Sequence, residues 1–92
     1  MRYIFPRCRF ADTLTLEQQS RKMLQEAYEV ESAILPGWDG TDAEWHEEIL
    51  DLLHACETAC WILEKEHGPG YVHDLRDRVA LKNLERGYYG DL

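Results

Sequence analysis

The sequence predicts an all-α protein of antiparallel helices. Three observations carry this. Apolar residues recur at the helical period over two long stretches, residues 15–35 and 41–67. Each stretch opens on a capping box, Thr15-Leu16-Glu17-Gln18 and Thr41-Asp42-Ala43-Glu44, in which paired side chains satisfy the free amides of a helix start. Finally, no run alternates strictly enough between polar and apolar residues to form a strand.

Residues 1–12 mix aromatics, arginines and Pro6, and read as an extended or irregular N-terminal arm; residues 13–92 form one helical domain. The first helix should run from about Thr15 to Leu35. Pro36-Gly37 ends it, because proline disfavours helical backbone in the residue before it. The turn-rich PGWDGT at 36–41 leads to a second helix, which runs to about His67 and stops at Gly68-Pro69-Gly70. A third helix covers about Tyr71 to Arg86, ended by Gly87.

At about 100° per residue, Leu16, Met23, Ala27, Val30 and Ile34 share one stripe of the first helix. Trp45, Ile49, Leu52, Leu53, Cys56, Cys60 and Leu63 share one on the second. Glu26 and Glu48 sit at the stripe edges, and Glu29 and Asp51 lie about 60° further round on the same side. Each helix thus carries an acidic i, i+3 pair along its apolar border. If the stripes pack antiparallel, the pairs face each other. Converging carboxylates are costly unless something positive sits among them, and hard divalent cations prefer oxygen ligands. The pattern therefore suits one or more Mg²⁺ ions, while acidic pairs of this spacing are also common on solvated faces.

Composition bounds the function. With 10 basic against 18 acidic residues the net charge is −8, so no basic footprint for duplex nucleic acid exists. The opening MRYIFPRCRF lacks the apolar core of a signal sequence, and no apolar run is long enough to span a bilayer. The expected location is cytoplasmic, with no membrane partner. Cys8, Cys56 and Cys60 are odd in number and not paired as CxxC, so the latter two read as small buried residues rather than ligands.

QEAYEVESAI followed by EEILDLLHACETA resembles the pattern of MazG-like nucleotide pyrophosphohydrolases, EExxE on one helix and ExxD on the next. The tail KNLERGYYG is similar to the ending of short, phage-type members, and the likeness covers about residues 15–90. The match falls on Glu26, Glu29, Glu48 and Asp51; Gln25 stands where the first motif glutamate belongs and supplies no charge. The resemblance implies an α-helical fold that oligomerises into four-helix bundles, as a dimer or tetramer. It further implies Mg²⁺-dependent hydrolysis (Mn²⁺ being the alternative ion) of a nucleoside triphosphate to a monophosphate and pyrophosphate, with those four carboxylates as metal-binding and catalytic residues. A phosphoribosyl-ATP pyrophosphohydrolase looks similar at this level. The competing class is a non-catalytic helical interaction module using its amphipathic faces to assemble.

Arg78, Lys82 and Arg86 form one basic ridge on the third helix with Asn83 beside it; Lys82, Asn83 and Arg86 are the substrate-binding candidates, against a solvated charged face. Trp38, Tyr88 and Tyr89 are candidates for stacking on a base, though such aromatics more often fill a core or interface. His54 follows Asp51 by three residues and reads as a packing residue, since Mg²⁺ prefers oxygen. A chain of this size cannot cover all its apolar residues alone. Leu50, Trp61 and Ile62, lying off the main stripe, are the expected subunit-interface residues.

Overall fold

A computed structural model describes residues 2–35, 37 and 39–90. Among these the chain is all-helical, with no strand: a one-turn 3-10 helix at Arg9–Asp12, then α1 (Leu16–Ile34), α2 (Asp42–His67) and α3 (Tyr71–Glu85). Both capping boxes form. Thr15 Oγ1 accepts from the Gln18 amide at 3.1 Å while Gln18 Oε1 accepts from the Thr15 amide at 2.9 Å. Thr41 and Glu44 repeat the arrangement at the start of α2. Gly68 ends α2 with φ 101°, a backbone conformation that side chains resist.

α1 and α2 pack antiparallel as a helical hairpin. Gln19 Nε2 donates to the Ala55 carbonyl at 2.9 Å, and further along Glu26 stands opposite Glu48. On α1 the deepest residues are Gln19, Glu26 and Ala33, spaced by seven. Their line, rather than the purely apolar stripe, is the seam facing α2. Ile34, assigned to the stripe, is exposed at the end of α1. A stripe drawn from hydrophobicity alone leaves out Gln19 and Glu26, whose stems pack while Gln19 Nε2 reaches the Ala55 carbonyl and one Glu26 oxygen reaches Lys22.

Three faces of α2 are covered by three different elements. Ala55, Thr58, Ala59 and Ile62 form its most buried line. Ile62 is wholly buried within one chain, so its expected place at a subunit interface is corrected. That expectation assumed a helix covered on one side only. The line His54, Glu57, Trp61 carries the N-terminal segment. Glu57 accepts from the backbone amides of Ile4 at 2.8 Å and Phe5 at 2.9 Å. Phe5 stacks on His54 and Tyr3 on Trp61, with ring centroids 4.6 and 4.2 Å apart, and the Arg7 guanidinium lies over Trp61. Lys65 Nζ donates to the carbonyl of the fully buried Ala11 at 2.9 Å. Trp61 is therefore half-covered by the arm, while Leu50 stays exposed. α3 is held on the remaining side, against α2 alone and not α1.

This arrangement leaves the chain open. It exposes 7004 Å², against roughly 5,500 Å² for a compact monomer of its mass. Its radius of gyration is 15.5 Å, where about 12 Å is usual for this length. Leu24, Tyr28, Leu50, Val79, Leu81 and Leu84 are among the large apolar side chains left at the surface. No helix among the described residues is long and apolar enough to cross a membrane.

Candidate metal centre

The i, i+3 spacing puts Glu26 and Glu29 on one side of α1, and the antiparallel pairing sets Glu48 of α2 against them. One carboxylate oxygen from each lies within 4.8 Å of the other two, a group able to hold a metal ion. The three differ in depth: Glu26 is 7% exposed, Glu48 is half-buried and Glu29 is open to solvent. Oε2 of Glu26 and Oε2 of Glu48 are both buried without a hydrogen-bond partner. Such orphaned oxygens are costly unless a donor or cation reaches them.

Lys22, one turn before Glu26, places Nζ 2.8 Å from Glu26 Oε1. That contact, helped by Glu29, holds the Glu26 carboxyl below its ordinary range, although burial opposes the shift. It raises Lys22 in turn. Glu29 is pushed the other way, chiefly because its protonated form can hydrogen-bond Glu26, then by the Glu26 charge, slight desolvation and Glu48. Without a cation, the cluster thus relieves its repulsion by keeping a proton on Glu29 to higher pH. A divalent ion meets the same need with more charge, and three oxygens from two helices leave positions for water or phosphate.

The other predicted site residues are distributed as follows. Asp51 is exposed, one turn beyond Glu48, and outside the three-carboxylate group; its charge reaches Lys22. Gln25 is exposed beside Glu26. Lys82 and Arg86 are exposed on α3 and its C-cap, and Asn83 is half-buried. Arg78 and Lys82 border a shallow depression with Leu75 and Val79. Because α3 does not touch α1, a single chain does not bring this ridge to the carboxylates. Tyr88 is exposed, Tyr89 lines a groove between α2 and α3, and Trp38 lies outside the described residues. His54 belongs to the arm contact, not the carboxylate group. Cys56 and Cys60 are half-buried, and burial pushes both thiols up. Lys22 and the seam position of Glu26 went unread in the sequence; a Lys four residues before a Glu was the available signal for the first.

Compared with known proteins, the chain matches no family model, no curated protein and no solved structure.

Proposed function

We propose that this chain is a Mg²⁺-dependent pyrophosphohydrolase of the MazG-like kind, converting a nucleoside triphosphate and water to a nucleoside monophosphate and pyrophosphate. One observation carries the reading: three carboxylates from two helices converge, and two of their oxygens are buried with nothing to bind. The donor set is all oxygen, as Mg²⁺ or Mn²⁺ requires. Glu26, Glu29 and Glu48 would hold the ion, with Asp51 one turn away to receive a coordinated water. The chemistry supplied by a bound ion is neutralisation of phosphate oxygens and acidification of a water. Lys22, released from part of its attraction to Glu26 once a cation sits there, is placed to meet a phosphate oxygen as a point charge.

The reading includes a second copy of the chain, as a dimer or dimer of dimers. The roughly 1,500 Å² of surface beyond a compact monomer's is ample for a stable interface, which takes about 800 Å² per partner. A second copy also gives the α3 ridge of Lys82, Asn83 and Arg86 a route to the phosphates that one chain lacks. The test is calorimetric Mg²⁺ and Mn²⁺ titration, with pyrophosphate release measured over all common ribo- and deoxyribonucleoside triphosphates and phosphoribosyl-ATP. Wild type should bind the ion and release pyrophosphate, and Glu48→Ala should lose both while staying helical. Equal Mg²⁺ affinity in the two proteins refutes the metal site. Light scattering from a folded monomer at micromolar concentration refutes the assembly.

A further inference from the structure

We infer that the cleft between the N-terminal arm, α1 and α2 receives the nucleoside end of a nucleoside phosphate, with the arm as its outer wall. The inference rests on the proposed function for its phosphate end, and on the cleft's own geometry for the rest. The cavity is about 480 Å³, within the roughly 300–1,000 Å³ of small-molecule sites, and its lining is mostly apolar. Cys8 and Phe10 of the arm, Gln19 and Lys22 of α1, and His54 and Thr58 of α2 face it.

Its chemistry changes along its length. Antiparallel pairing puts Lys22, Glu26 and Asp51 at one end, where the cleft runs into the carboxylate group. Leu14, Phe10 and Cys8 lie at the other, beyond Gln19. From Glu26 to Gln19 the helix rises about 10 Å. An occupant that matches is anionic and metal-binding at one end, flat and largely apolar at the other. Phe10 lines the cleft and is half-exposed, with the Arg9 guanidinium 5.1 Å from its ring centroid; an aromatic ring so placed suits a base, and base–aromatic stacking is tolerant of base identity. His54 Nε2 is buried with no partner, a hydrogen-bonding group that the protein leaves unused beside the cleft.

The outer wall is held in place before any ligand arrives. Glu57 grips two arm amides, Lys65 holds the Ala11 carbonyl, and two stacked ring pairs fix the segment on α2. A wall ordered in advance spares a ligand the entropy of ordering it.

The experiment measures binding of the common ribo- and deoxyribonucleoside monophosphates to the full chain, by calorimetry, with EDTA and then with Mg²⁺. Phe10→Ala should weaken the best monophosphate by about tenfold or more, and Phe10→Tyr should restore it. Neither change should move Mg²⁺ affinity or melting temperature appreciably, since Phe10 is half-exposed. In the wild type, bound monophosphate should slow iodoacetamide labelling of Cys8, read by mass spectrometry, while labelling of Cys60 stays constant. Wild-type affinity in Phe10→Ala, unaltered Cys8 labelling, or no monophosphate binding at all overturns the inference. If pyrophosphate release is found while these tests fail, the cleft assignment falls and the hydrolase reading stands. If Cys8 is protected and no triphosphate is cleaved, the cleft stands and the hydrolase reading falls.

Discussion

Glu26 and Glu57 are equally buried, each 7% exposed, yet their surroundings give them opposite roles. Glu57 faces the arm, and its two oxygens are spent on the Ile4 and Phe5 amides. It is a fastener, complete as it stands. Glu26 faces two more glutamates; one oxygen meets Lys22 and the other meets nothing. Burial of a carboxylate is thus no mark of a site. What distinguishes the two is whether the surrounding donors are sufficient, and at Glu26 they are not.

The largest expected effect tests the fastener. Glu57→Ala strips two part-buried amides of a charged acceptor and should cost about 3 kcal/mol. Melting followed by circular dichroism should fall on the order of 15 °C. Mg²⁺ affinity, measured where the variant is folded, should be kept. A stability loss no larger than that of a surface substitution would end the contrast.

Glu26→Gln should do the reverse. It gives up the Lys22 pair but also removes repulsion from Glu29 and Glu48, so stability should shift by less than about 1 kcal/mol. Mg²⁺ affinity should drop about tenfold or more, by calorimetry. A melting loss comparable to that of Glu57→Ala would make Glu26 a structural group as well.

The smallest effect sharpens the contrast through pH. Glu29 has a raised pKa, so its contribution to stability is present below the ordinary glutamate value and fades as pH rises through the raised one. Metal binding needs the deprotonated form and should weaken severalfold as pH falls through that same window. Glu29→Gln should flatten the slope. A pH profile identical in the variant would assign the proton elsewhere.

The helix limits were legible because caps and stops are local: Thr15, Thr41 and Gly68 act within a turn of themselves. The seam was less legible, because Gln19 and Glu26 are polar residues at inward positions and an apolar stripe passes beside them. Ile62 was misplaced for a related reason. α2 is enclosed by α1, α3 and the arm, so residues off its main stripe still become core. The acidic group was readable as i, i+3 pairs, but helical phase cannot say that Asp51 stays outside while Lys22 comes in. The docking of Tyr3 and Phe5 depends on residues about fifty positions away or more, which local periodicity does not encode.

That long reach has a consequence for how the chain folds. The Ile4–Glu57 contact joins residues 53 apart, and closing a loop of that size costs roughly 3–4 kcal/mol beyond a constant. The α1–α2 hairpin is closed by far shorter loops, so it forms first and presents His54, Glu57 and Trp61 as a finished template. The arm, synthesised before the helices it packs on, is among the last parts to dock. Until it does, Tyr3, Phe5 and Trp61 are bare aromatic surface and Glu57 is unoccupied, so the interval between hairpin and arm is when the newborn chain is most exposed to aggregation.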